Sequence, residues 1–356
     1  MPVVWSPMTR AHDPQNEVWV GVATIGTEVA ARVDAILSAV TESGHPLTEA
    51  TAHPDDVLAR VHEQSMLTFL AEAAERWGQG PYVDLVGQSR VVPYLFPTPA
   101  MTAGLPTRPA VAVHAEAGTY AYDTMTLVGD GTWEAARAAV DCALTAADLV
   151  LAGERAAYAL CRPPGHHATP AGFGGSCYLN NAAVAAEALR VGGHDRVGII
   201  DIDAHQGNGT AAIFYDRGDV LYGSVHVDPA AGWFPHIVGY ADETGTGDGA
   251  DCTRNRPLPE GTADESWLEA IGDLADWVVA AGCSALVVSL GVDAAVDDPE
   301  SPLMITGDGY RAAGSILSAT GLPAVVVQEG GYHLPSLGSL VAAYLHGHAT
   351  GVVSAP

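Results

Sequence analysis

From about residue 130 onward the chain alternates between two hydrophobic rhythms. Short, nearly continuous apolar runs occupy 156–161, 196–203, 220–227, 285–290 and 323–328, each about the length of a strand. Between or beside them, apolar residues recur at three- and four-residue spacing over 132–152, 180–190, 265–281, 307–320 and 335–345. The first rhythm predicts strands buried on both faces and the second predicts amphipathic helices. Together they predict an α/β fold: a central, mostly parallel sheet with helices on both faces. No repeat, low-complexity tract or linker divides residues 1–356, so a single domain is expected. The least regular stretch is 81–110, where Pro81, Pro93, Pro97, Pro99, Pro106 and Pro109 recur. A long irregular connection of that kind serves as a rim, a lid or a subunit contact.

Four of the predicted strands run out into reactive side chains. Cys161 precedes His166-His167, Ile200 precedes Asp201, Asp203 and His205, Leu290 precedes Asp293, and Gln328 precedes Tyr332. Ligands bind open parallel sheets outside the carboxyl ends of the strands, so these loops should converge on one crevice. The most telling stretch is Gly198 to Thr210, where Asp201, Asp203 and His205 alternate after an apolar run. Residues two apart on an extended backbone share a face, and three polar groups there need a charge to meet. A divalent cation satisfies carboxylates and imidazole together.

Asp203, His205 and Asp293 make a three-ligand set with an open fourth position, the pattern of a catalytic zinc site. Water on such an ion becomes a usable nucleophile. The histidine pair can carry protons, Asp201 can orient one imidazole, and Tyr332 can donate to a developing oxyanion. The reaction implied is metal-assisted amide hydrolysis. Each element alone has an ordinary reading: a histidine pair fills a core, an Asp caps a helix, and Gly-Gly-Tyr makes a turn. Their combination, in this order, points to an enzyme.

Composition narrows the partners. The formal charge is −27, and all 15 basic residues are Arg. That balance repels nucleic acid and anionic membrane and attracts cations, although genome composition alone can produce it. Five widely spaced cysteines without a CxxC pair read as reduced thiols. With no secretory leader and no apolar run of about 18 residues, a soluble cytoplasmic protein is expected.

At Arg162-Pro-Pro-Gly-His-His-Ala168, Cys177-Tyr-Leu-Asn-Asn181, Asp201-Ile-Asp-Ala-His205 through Thr210, Ser289-Leu-Gly-Val-Asp293 with Asp298-Pro299, and Glu329-Gly-Gly-Tyr332, the chain resembles the histone deacetylase superfamily. Residues 228–244 and the Pro-rich segment are most similar to bacterial acetylpolyamine amidohydrolases. The resemblance implies the arginase/deacetylase fold and one catalytic Zn2+ (Fe2+ the alternative) on Asp203, His205 and Asp293. It also implies a structural K+ on Asp201, Ser224, Val225 and the backbone of Asp203 and His205. Asp201 should stand behind His166, Asn208 behind His167, with His167 the general base-acid and Tyr332 polarising the carbonyl. For substrate binding it points to Phe234, Gly175, Ser176, Gly330, Glu300 and Glu116. A homodimer paired through the Pro-rich segment is expected, acting on a small acetylated amine.

Three departures qualify this. Asn208 replaces the second Asp found in class I enzymes. Ser176 falls where an aromatic ring usually faces Phe234, which should widen the tunnel and leaves a bulkier N-acyl amine, or acetyl-lysine, as an alternative substrate. Glu300 replaces an apolar rim residue and could face a remote ammonium or simply be solvated. A two-manganese ureohydrolase requires a carboxylate where Gly291 stands, and a non-catalytic binding protein would not need every catalytic position filled.

Overall fold

The computed structural model describes residues 1–351. Its framework is an eight-stranded sheet in the order β4-β1-β5-β10-β9-β6-β7-β8, with β2 and β3 forming a separate antiparallel hairpin. The strands are β1 (Val3–Trp5), β2 (Glu17–Trp19), β3 (Val22–Thr24), β4 (Leu47–Glu49), β5 (Ala156–Ala159), β6 (Val197–Asp201), β7 (Val220–Val227), β8 (Thr253–Leu258), β9 (Ala285–Leu290) and β10 (Ala324–Gln328). Every pairing in the large sheet is parallel.

The unbroken Val/Ile/Leu strands are buried on both sides, as the sequence pattern requires. Val325 and Val327 of β10 join the core beneath the helices Thr132–Leu151 and Asn181–Val191. Ala324 and Val326 face the opposite core, closed by the helices Ala31–Glu42, Asp264–Ala280, Gly307–Ala319 and Leu334–Thr350. Each fully buried Val contributes on the order of 1.5–3 kcal/mol, as an upper bound. Among the described residues, no helix is long and apolar enough to cross a membrane.

Several boundaries differ from expectation. The run 156–161 is strand only to Ala159, and 196–203 only to Asp201. Asp203 and His205 therefore lie in a turn beyond the strand, not on it. The three-residue strands β1 and β4 and the exposed-edge strand β8 carry too short or too mixed a pattern to be read from sequence.

The four strands that carry reactive loops, β5, β10, β9 and β6, are consecutive neighbours in the sheet. Their carboxyl ends open side by side, and the loops that follow have no choice but to meet.

Candidate active site

Asp203, His205 and Asp293 each offer a ligand atom within 4.8 Å of the others. His205 Nδ1 lies 3.2 Å from Asp293 Oδ2 and 3.4 Å from Asp203 Oδ1. No arginine pairs with either buried carboxylate among the described residues, and the chain has no lysine. Burial, then the Asp203 charge, pushes the Asp293 carboxyl up to about 7. Two carboxylates and an imidazole facing one point, with no arginine or lysine against them, fit a divalent metal in donor chemistry and in number.

Backbone closes the cup from behind. Gly330 N–H donates to Asp203 Oδ2 at 2.9 Å, so Gly330 braces the carboxylate and does not line the cavity. A Cβ on Gly330 would lie 2.3 Å from Asp293 Oδ2, and one on Gly291 would lie 1.9 Å from Asp203 Oδ2. Neither position has room for any side chain. The absent ureohydrolase carboxylate at 291 is thus also sterically barred.

Beside the cup, the two histidines are held in opposite states. His166 Nδ1–H points to Asp201 Oδ2 at 3.0 Å, and its Nε2 lies 3.7 Å from Asp203 Oδ1. Burial opposes its charge, but Asp203 and Asp201 outweigh it and raise the His166 pKa well above the usual range. Glu329 Oε2 accepts the Gly165 and His166 amides at 2.7 and 3.1 Å, which anchors this loop. His167 Nδ1 sits 2.7 Å from Asn208 Oδ1, an oxygen that can only accept. Its proton is therefore on Nδ1, and Nε2 is bare. Burial first, then the neighbouring His166 charge, pulls the His167 pKa well below normal. Neighbouring titratable groups driven apart in this way mark acid and base roles. Of the pair, only His167 lines the cavity.

Tyr332 closes the opposite side. Asp298 Oδ2 accepts the Tyr332 and His333 amides at 2.6 and 3.0 Å, while its Oδ1 accepts Glu300 N–H at 3.0 Å. Arg32, clamped on the carbonyls of Glu329 and Gly331 at 2.6 Å each, stacks 4.8 Å over the Tyr332 ring. Burial raises the phenol pKa well above normal despite Arg32, so the hydroxyl stays a donor.

The cavity above these groups measures about 660 Å³ and is bordered by Phe234, Gly175, Ser176, Glu300 and Met125 among others, a size suited to a small molecule. Phe234 meets His167 edge-on at 4.6 Å. The widening expected opposite Phe234 from Ser176 does not occur. Tyr122 supplies a ring parallel to Phe234, with centroids 6.4 Å apart and planes 16° from parallel. Its hydroxyl donates to the His167 carbonyl at 2.7 Å. Gly174 makes the room, since a Cβ there would lie 2.1 Å from the Tyr122 ring. Ser176 borders the cavity from a left-handed conformation, its amide bonded to Thr126 Oγ1 at 2.9 Å.

The remaining candidates fall outside the cavity. Glu116 lies on the helix Val113–Tyr120, ion-paired with Arg76, and is not among the lining residues. Ser224 stands level with Asp201 in the β6–β7 ladder, its hydroxyl 2.7 Å from His226 Nδ1, and Val225 is fully buried beside it. Tyr122, Glu17, Thr27 and Asp123 line the cavity without having been singled out from sequence. None carries a local motif, and only their convergence from distant segments reveals them.

Comparison with known proteins gives the same picture. The histone deacetylase domain matches residues 27–348. The acetylpolyamine amidohydrolase of Mycoplana ramosa is 40% identical over 98% of this chain and 100% of that protein. Acetylpolyamine amidohydrolase 1 of Pseudomonas aeruginosa is 38% identical over 97% of this chain and 98% of its own length. The crystal structure of an acetylpolyamine aminohydrolase from Burkholderia pseudomallei superposes with a TM-score of 0.91 at 36% identity, covering 98% of this chain and 99% of that one. A family match across most of the chain, on a parallel sheet whose loops bring these donors together, leads to one conclusion: the chain belongs to the histone deacetylase family.

Proposed function

We propose that this protein is a metal-dependent amidohydrolase that removes the acetyl group from small cationic acetylamines, acetylpolyamines foremost. The observation that carries the reading is a neutral His167 with a bare Nε2 beside a three-donor metal cup, at the base of a cavity of small-molecule size. Asp203, His205 and Asp293 would hold Zn2+, or Fe2+, which when bound polarises the acetyl carbonyl and acidifies a water.

The chain's own groups account for the rest. His167 takes a proton at Nε2 from the attacking water and returns it to the leaving nitrogen. Asn208 holds the tautomer that makes this possible. His166, paired with Asp201, keeps a positive charge beside the developing anion, and Tyr332 donates its hydroxyl to that oxygen. Phe234 and Tyr122 cover the methylene chain and exclude water. Glu300 faces the cation, and full-length relatives of 35–40% identity named for acetylpolyamines support the choice of substrate.

The test is acetate release from acetylputrescine and acetylspermidine against an acetyl-lysine peptide. The reading requires the amines to be the better substrates by kcat/KM, and the reverse order would reassign the enzyme to protein deacetylation. Preference for a bulky N-acyl amine, or no turnover at all, would likewise defeat it.

Three further features belong to this reading. A structural K+ on Asp201, Ser224, Val225 and the adjacent backbone is supported by the register that sets Ser224 level with Asp201. A homodimer is supported by exposed apolar side chains along the Pro-rich segment, including Leu85, Val86, Tyr94, Met101 and Leu105. Five free cysteines suit a reducing cytoplasm.

A further inference from the structure

Three buried ions, Glu28, Arg32 and Arg162, each 1% exposed, form a cluster that does not border the cavity. Glu28 Oε1 accepts Arg32 Nη1–H at 2.8 Å and lies 2.9 Å from Arg162 Nε. Its Oε2 makes no hydrogen bond, while the Glu28 carbonyl accepts Arg162 Nη2–H at 3.3 Å. His12 Nε2 lies 3.8 Å from Oε2 but brings no charge, since burial above all lowers its pKa to about 4. One carboxylate therefore answers to two guanidiniums. Burial opposes its ionisation, but Arg162 and Arg32 outweigh it and hold the Glu28 carboxyl below its usual range.

Each arginine roots a different catalytic loop. Arg32 gives its Nε and Nη2 to the carbonyls of Gly331 and Glu329 and lies over the Tyr332 ring. Arg162 stands four residues before His166 and donates Nη1–H to the Thr9 carbonyl at 2.7 Å. The strands that these loops leave, β5 and β10, are paired only as far as Ala159 and Val327. Beyond that point no ladder fixes the spacing of His167 and Tyr332, and side chains must do so. Glu329, through the Gly165 and His166 amides, is one tie between the loops. Glu28 is a second, reaching both from a separate segment of chain. Without its charge, two buried guanidiniums would face each other with no counter-ion, an arrangement that drives them apart and towards water.

We propose that Glu28 is a positioning residue of the reaction, holding Arg32 against Tyr332 and Arg162 at the root of the His166–His167 loop. One carboxylate thereby sets the distance between the phenol and the imidazole that carries the proton. The proposal rests on the amidohydrolase reading above and deepens it, because it gives a role to a group outside the cavity. Loss of the tie should slow the chemical step and leave substrate binding nearly intact, since Glu28 does not line the space that the substrate enters.

Glu28→Gln removes the charge while keeping the shape, and thermal melting reports whether the variant is folded. With acetylputrescine, kcat should fall about tenfold to a hundredfold and KM should change by less than about twofold, the pattern of misplaced catalytic groups. In a Tyr332→Phe background the same substitution should cost less than about twofold, because residues that act as a unit are not additive. A folded Glu28→Gln protein with wild-type kcat, or an equal loss in both backgrounds, overturns the proposal. If Glu28→Gln does not fold, Glu28→Asp, which draws the carboxylate back by one methylene, takes its place in the same pair of backgrounds. Its kcat should fall in the wild-type background and not in the other, and any other result overturns the proposal. Hydrogen exchange separates this outcome from failure of the substrate reading. The folded variant should exchange about tenfold faster or more over 162–168 and 329–333, with the helix Asp264–Ala280 unchanged, as local opening requires. That pattern sustains Glu28 in its place even if the wild type hydrolyses no acetylamine, and unaltered exchange in the two loops overturns it.

Discussion

His166, His167, Asp203, His205, Asp293 and Tyr332 stand on loops that leave four adjacent strands of one parallel sheet. Glu17, Thr27, Tyr122, Ser176 and Glu300 reach the same cavity from a two-stranded hairpin and irregular loops far apart in sequence. In the first region the backbone is set by ladder hydrogen bonds, and glycines leave no space for error. In the second, a ring missing at one position is supplied from another, as Tyr122 does for Ser176. On the proposed function, the floor carries the reaction and the walls select the substrate.

Substitutions can break this contrast, and the floor should answer most strongly. His167→Ala removes the group that accepts and returns the proton, and kcat should fall by about 10²–10⁴ in steady-state assays. Tyr332→Phe keeps the ring under Arg32 but loses the donor, and should lower kcat by about 10²–10³ with KM nearly unchanged. Asn208→Asp sharpens the electrostatic account. A carboxylate in place of the amide favours the imidazolium, so the His167 pKa rises and its free-base form is lost at higher pH. The acidic limb of the kcat/KM profile should shift upward in pH, and an unmoved limb would remove Asn208 from its assigned place.

The walls should respond more mildly and chiefly in KM. Tyr122→Ala takes away one ring of the channel and should raise KM for acetylputrescine roughly tenfold, the order expected for losing part of an aromatic contact. The smallest effect belongs to Glu116→Gln. With Glu116 engaged by Arg76, partly exposed and outside the cavity, stability should change by less than about 1 kcal/mol and KM by less than about twofold. A large KM change there would return Glu116 to the substrate's path.

The two regions also differed in how far sequence could reveal them. Metal ligation permits few residue types, and a strand end dictates where they fall, so Asp203, His205 and Asp293 stand out even with the strand boundary misplaced by two residues. The cause of that misplacement is itself chemical: Asp201 is the last residue to pair in the ladder, and the next acidic residue bends away to serve the cup. The walls obey no such rule. Tyr122 reaches Phe234 because Gly174 has no side chain, a relation across 52 positions that no periodicity signals. Glu116 is engaged by Arg76, 40 positions earlier, a pairing that no local pattern signals. Glu17 sits in a short hairpin whose exposed, mixed pattern announces no buried carboxylate.

The two glycines pressed against Asp203 and Asp293 limit how this cup can change. Since even a methyl at 291 would overlap the Asp203 side chain, an acid placed there would displace the carboxylate already in the cup. The shape of the cup thus depends on two neighbouring positions that carry no side chain, Gly291 and Gly330.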